Sequence, residues 1–192
     1  MSKKDEGLPD APNERPAVPG QFGTILADPP WDVQQAGNLG AERHYRLMSV
    51  PEICGLPVRS LAAPKAHCWL WVTNATIFAG RDVLEAWGFQ YRSILTWVKP
   101  RMGLGQYLRT ASEHVLLGTR GKAPILFRSQ PSWLFAPRQE HSHKPEELYA
   151  VIERCSPAPY LELFARRTRP GWSVWGNQVE SDVRLPGWRP PQ

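Results

Sequence analysis

Asp28-Pro29-Pro30-Trp31 follows directly on the apolar run FGTILA at 22–27. A strand-like segment thus ends on a carboxylate, two ring-locked residues and an indole. Proline has a fixed φ and no N–H, so the pair stops any β ladder, and Pro29 forces Asp28 into extended backbone. The simplest consequence is a turn, with Trp31 folded back onto the core. The chemical reading is that two ring-locked residues hold their carbonyls in fixed directions without competing donors. Asp28 and the Pro29 carbonyl then form a preorganised pair of acceptors, suited to an exocyclic amine with two N–H groups. Trp31 beside them offers a flat face for a nucleobase, a contact worth roughly 1–3 kcal/mol. His141 and His143, even with Cys155, lack a third suitably spaced ligand, so no metal is assigned.

Alternating strand-like and helix-like patterns must position these groups, which predicts an α/β layer fold with a largely parallel sheet. Strands are expected at 22–27, 67–73, 91–98, 112–119, 123–129, 160–165 and 172–176. Helices are expected within 49–63, opened by a Ser49/Glu52 capping box, at 75–87, capped by Asn74 and stopped by Gly88, and at 144–156, with Pro145 at a first helical position. The glycine-bearing stretch 100–111, with Arg101 and Arg109, has no period and reads as a loop. In open α/β sheets ligands sit outside the carboxyl ends of strands, which is where Asp28 falls.

With 192 residues, 42% hydrophobic and 21% charged, the chain can bury the core of one domain. Proline-dense ends at 1–20 and 183–192 read as extended tails around a domain at 21–182. Three cysteines without C-x-x-C spacing argue against a disulfide framework and fit a reduced, cytoplasmic setting. No apolar leader or membrane-length run is present, so neither export nor a membrane partner is expected. A net charge of +5 and a pI near 9.3 are compatible with a polyanionic partner.

The Asp-Pro-Pro-Trp box resembles that of the MT-A70 family of adenine-N6 methyltransferases. The resemblance continues in order through WLWVTN (69–74), WGF (87–89), TWVKP (96–100), SEHVLLG (112–118), SHKPEELYAVIERCSP (142–157), ELFARR (162–167) and WGNQV (175–179). It implies a circularly permuted Rossmann-like class I methyltransferase, α/β with a mostly parallel sheet and helices on both faces, that uses S-adenosyl-L-methionine. By that resemblance Asp28, Pro29, Pro30 and Trp31 form the catalytic box. Lys144, Arg166, Asn177, Gln178 and Glu162 would bind the cofactor, and Tyr45, Trp97 and Lys99 would wall the target base, with buried core the competing place for Trp97. The stretch ARRTRPGW (165–172) is shorter than in RNA-modifying members, which carry a His-Asn pair there, so no role passes to Thr168.

The compact length looks more like bacterial or phage members, which implies DNA rather than RNA as the nucleic-acid partner, with RNA the alternative. At this length sequence choice falls to loops or to a second subunit, so a homodimer or a heteromer with a recognition subunit is the implied assembly. Two other classes compete: a catalytically silent partner subunit, and a nucleic-acid-binding module without cofactor. The intact Asp28 box argues against the first, and Lys144 with Asn177-Gln178 argues against the second.

Overall fold

A computed structural model describes residues 21–32, 46–103, 105, 107–138 and 144–191. The elements in chain order are β1 (Phe22–Ala27), α1 (Val50–Cys54), α2 (Val58–Leu61), β2 (Ala62–Val72), α3 (Ile77–Ala86), β3 (Gln90–Val98), β4 (Ser112–Arg120), β5 (Trp133–Phe135), α4 (Glu147–Cys155), β6 (Tyr160–Leu163) and β7 (Trp172–Trp175). The strands form one seven-stranded sheet in the order β5-β3-β4-β2-β1-β6-β7. β4 runs antiparallel to both of its neighbours and every other pairing is parallel. β1, buried along its whole length, lies inside the sheet between β2 and β6, as a continuous apolar run with parallel neighbours should.

Side chains alternate across each strand, and the core divides accordingly. Ile25 and Ala27 of β1 and Cys68, Leu70 and Val72 of β2 join one cluster with Ile53, Val58, Val83 and Trp87. Leu26, Trp69 and Trp71 join the other with Leu148, Tyr149, Ile152 and Cys155 of α4. In α4 the buried positions 148, 149, 151, 152 and 155 keep helical spacing, and each fully buried apolar side chain contributes about 1.5–3 kcal/mol.

Several expected boundaries shift for local reasons. The segment 49–63 forms two short helices, because Gly55 ends α1 and Pro57 starts α2, while the Ser49/Glu52 capping box forms as expected. Asn74 does not cap α3. Thr76 holds the cap position and its Oγ1 accepts the Thr73 N–H at 2.9 Å. Gly88 does end that helix, at φ 84°. The segment 123–129 is not a strand, and the sheet edge is instead the three-residue β5. α4 starts two residues after Pro145, whose carbonyl accepts the Leu148 N–H. The C-terminal segment is not an extended tail, since Val183 and Leu185 are buried and Trp188 packs on the core. Among the described residues no helix is long and apolar enough to cross a membrane.

Candidate active site

Asp28 leaves β1 two residues after Leu26, so the pleat keeps it on the α4 face. The turn behind it is pinned at several points. Trp31 N–H donates to the Pro29 carbonyl at 2.9 Å, Met48 N–H to the Pro30 carbonyl at 2.8 Å, and the Trp31 indole N–H to the Trp71 carbonyl at 3.0 Å. Trp31 is only 8% exposed. The indole therefore braces the box from the core and is not the open stacking face that its sequence position suggests. The Pro29 carbonyl keeps one lone pair beyond the Trp31 bond.

A line of alternating charge crosses the ends of β1, β3 and β4. Lys144 Nζ lies 3.3 Å from Asp28 Oδ2 and 3.2 Å from Glu113 Oε2, and Lys99 donates to Glu113 Oε1. Register explains the Lys99–Glu113 contact. Trp97 faces Glu113 across the antiparallel pair, so Lys99, two residues on, projects on the same side. Indole faces back both cations, with Lys144 4.7 Å from the Trp71 ring centre and Lys99 4.6 Å from that of Trp97. Burial opposes the Lys144 charge, but Asp28 and Glu113 outweigh it and raise its pKa. Burial likewise opposes ionisation of Glu113, yet Lys144 and Lys99 hold its pKa below the ordinary value. Glu113 and Lys144 therefore both carry their charges at neutral pH.

Glu162 pairs in register with Leu26, on the same face. Tyr149 OH donates to both of its oxygens at 3.0 Å. Burial, with Asp28 nearby, pushes the Glu162 carboxyl up to about 7 against the Tyr149 bond and the positive charges of Arg167 and Arg169. Those two arginines converge on Glu146 beside the start of α4, and the Arg169 guanidinium lies 4.2 Å from the Tyr149 ring centre. Asn177 and Gln178 are exposed just beyond β7. Arg166 is half-buried one residue before Arg167.

Asp28, Lys144 and Glu162 thus gather at one rim of the sheet, with Asn177 and Gln178 following the adjoining strand. Trp97 and Lys99 do not form an open base wall. Trp97 is 2% exposed, its indole N–H satisfied by the Ala136 carbonyl, and Lys99 is held under Glu113. Tyr45, His141 and His143 lie outside the described residues. Glu113 and Tyr149 are the functional candidates that sequence reasoning left unassigned. Their partners are 14 and 13 residues away along the chain, and only strand register and helix placement bring them together.

A mixed, mainly parallel sheet with an acidic box at the end of an inner strand is consistent with a methyltransferase fold. The MT-A70 family model matches residues 22–178. The chain belongs to that family. An N(6)-adenosine-methyltransferase MT-A70-like of Arabidopsis thaliana is 37% identical over 177 residues, which cover 86% of this chain and 25% of that protein. The human N(6)-adenosine-methyltransferase catalytic subunit METTL3 is 32% identical over 177 residues, or 85% of this chain and 29% of METTL3. Type II methyltransferase M.MunI of Mycoplasma sp is 28% identical over 206 residues, or 95% of this chain and 86% of M.MunI. The chain spans under a third of the length of the N(6)-adenosine-methyltransferases it matches.

Proposed function

We propose that this protein transfers a methyl group from S-adenosyl-L-methionine to N6 of adenine in nucleic acid, with DNA as the substrate and RNA the second reading. The observation that carries the proposal is the placement of Asp28 at the end of β1, with its Oδ2 held by Lys144. The similarity to M.MunI, named a type II methyltransferase, supports the DNA-directed reading. The names of the plant and human relatives support adenosine N6 as the acceptor. A homodimer or a heteromer with a recognition subunit remains the proposed assembly, and free Cys54, Cys68 and Cys155 support a reducing, cytoplasmic setting.

The donor set suits the cofactor. Asp28 and Glu162 supply carboxyl groups that would favour a positively charged sulfonium, and Lys144 has three N–H donors, two of them directed at Asp28 and Glu113. A ligand carboxylate is the natural partner for such an ammonium. Asn177 and Gln178 offer amides to ribose and adenine, with Arg166 between them and Lys144 in the proposed binding set. When bound, the cofactor supplies an electrophilic sulfonium methyl. The chain's part is to make N6 a nucleophile, since its lone pair is otherwise delocalised into the ring. Asp28 and the Pro29 carbonyl each accept one N6–H, which favours a pyramidal nitrogen, and the Asp28 interaction strengthens as N6 becomes positive. Trp31 acts by bracing that pair from behind.

The order of the chain supports a circularly permuted Rossmann-like arrangement. The strand bearing the acidic box comes first, whereas its neighbour β6 and the β7 strand beyond it, which lead to the proposed cofactor residues, come last. Division of the core between α1–α3 and α4 supports helices on both faces. A thermal-shift titration with S-adenosyl-L-methionine tests the cofactor part. Ligand at 100 times its Kd adds about 2.7 kcal/mol of stability. No shift at millimolar ligand would favour a binding module without cofactor.

A further inference from the structure

The end of the sheet opposite the acidic box is also charged. β1 and β2 start together there, Phe22 beside Ala62, and the antiparallel β4 finishes there, with Arg120 in register with Ala66. β3 starts at the same end, Gln90 facing Thr119. Arg59 of α2, Lys65 of β2, Arg92 of β3, Arg120 of β4 and Lys122 just beyond it all collect at this end. Close contacts tie them into one patch. A Cβ on Gly121 would stand 3.5 Å from Lys65 Cγ, and one on Gly88 3.4 Å from Arg59 Cδ. Arg120 Nη1 donates to the Arg59 and Ala62 carbonyls at 2.7 and 3.0 Å, and Arg92 Nε donates to Thr119 Oγ1 at 2.8 Å.

Those acceptors hold the guanidiniums in place without neutralising them. Among the described residues none of these five cations makes an ion pair, whereas Arg46, Arg81, Lys99, Lys144, Arg167 and Arg169 all do. Glu85 and Glu153, in the last turns of the helices that finish at this end, are already engaged, the first by Arg81 and the second by Trp172 and Arg169. Lys65, Arg120 and Arg92 stand on the successive strands β2, β4 and β3, each about 4.8 Å from the next. Register turns Arg120 with Ala66 toward the α1–α3 face and Lys65 toward the α4 face, so the positive charge straddles the end of the sheet.

We propose that this end holds the sugar–phosphate backbone of nucleic acid, as a second contact remote from the target base. This rests on the nucleic-acid part of the reading above and not on methyl transfer. A stable protein partner would need an apolar centre. Tyr91 is the single large hydrophobic side chain exposed on β2, β3 or β4, whereas a phosphate backbone asks only for spaced cations. β4 runs 9 residues from Ser112 to Arg120, which puts the patch roughly 25 Å from the rim that carries Asp28 and Glu113. Four stacked nucleotides on either side of a target reach only about 14 Å. The contact therefore belongs to long substrates, to which it adds affinity without choosing the base.

The test is the Kd for single-stranded DNA of eight and of sixty nucleotides across a salt series, for wild type and for the triple variant Arg59→Gln, Lys65→Gln, Lys122→Gln. Arg92 and Arg120 are kept because their hydrogen bonds hold the strand ends. On the long strand the triple variant is expected to bind about tenfold more weakly at 0.1 M salt, with a slope of log K against log salt shallower by about 2, since each phosphate contact on a single strand contributes about 0.7. On the short strand the two proteins should agree within about twofold. Arg59→Lys, Lys65→Arg, Lys122→Arg, which keeps every charge, should bind the long strand as wild type does. If thermal melts show that the triple variant does not fold, Lys122→Gln alone, on the exposed turn after β4, should lower the slope by about 0.7. Equal slopes for wild type and the charge-removing variant on the long strand would overturn the proposal and leave the patch to an acidic protein. An equal loss on both lengths would overturn it too, since the substitutions would then act through the fold or the catalytic rim. Failure of wild type to bind either length would instead overturn the nucleic-acid reading beneath it.

Discussion

Lys144 sits between Asp28 and Glu113, and its removal would leave two carboxylates at the rim with only Lys99 to balance them. Lys144→Ala is expected to cost about 1–3 kcal/mol of stability, below the loss for a fully buried pair because the side chain is 24% exposed. It should also weaken S-adenosyl-L-methionine binding by about 1.5–3 kcal/mol, the worth of a charge-assisted contact. Calorimetric titration with an unchanged Kd would confine Lys144 to organising the carboxylates. Glu162 gives a pH prediction. Its folded pKa of about 7 stands above its ordinary value of 4.5, so the folded state binds the proton more tightly than the unfolded state does. The resulting stability is fully present below the ordinary value and is lost as pH rises toward and through about 7. Glu162→Gln should flatten that decline. Urea melts between these pH values that fall equally in both proteins would assign the decline to another group. At this scale the acidic box and Lys144 are legible in the sequence because they stand within recognisable blocks. Glu113 and Tyr149 are not, because their meaning lies in partners that strand register and helix placement bring to them.

At the scale of elements, the exits of β6 and β7 approach closely. A Cβ on Gly176 would stand 1.9 Å from the Ala165 carbonyl oxygen, and Ala165 N–H donates to the Trp175 carbonyl at 3.0 Å. Gly176→Ala must therefore push backbone against backbone just before Asn177 and Gln178. An expected loss of about 1–3 kcal/mol in urea melts should come with weaker cofactor binding. Gly171→Ala is the control. Its added Cβ meets no atom within 4 Å and the cost there is the left-handed backbone at φ 79°, about 1 kcal/mol, with cofactor binding little changed. Equal effects of the two substitutions on binding would contradict the close-approach argument. Long apolar strands and the amphipathic α4 are legible because periodicity and burial coincide in them. The segment 123–129 misleads because Ile125 and Leu126 imitate a strand. Leu126 N–H bonds instead to the Cys155 carbonyl at the end of α4, and Ile125 packs on the core as part of a loop. Trp188 shows the reverse case, a proline-rich segment anchored by apolar side chains that composition alone reads as a tail.

For the whole molecule, Lys144 and Lys99 at the rim are paired with Asp28 and Glu113, so the excess behind the net charge of +5 lies elsewhere on the surface. If nucleic acid is held through its phosphates, binding should weaken as salt rises, because counterions are released on association. An adenine brought to Asp28 must leave its stack, at a cost of a few kcal/mol in duplex. Single-stranded or mismatched oligonucleotides should then be methylated faster than perfect duplex at low substrate. A preference for perfect duplex would mean that a partner assists extrusion. The measurement that bears most directly on the central claim is the product itself. Wild type and Asp28→Asn are incubated with S-adenosyl-L-methionine and either DNA or RNA, the nucleic acid is digested, and N6-methyladenine is quantified in its deoxy and ribo forms. Wild type is expected to form N6-methyladenine, chiefly in DNA, and Asp28→Asn to form it about 10²–10³ times more slowly while still binding the cofactor. Equal product from the two proteins, or none from folded, cofactor-bound wild type on either nucleic acid, would contradict the account.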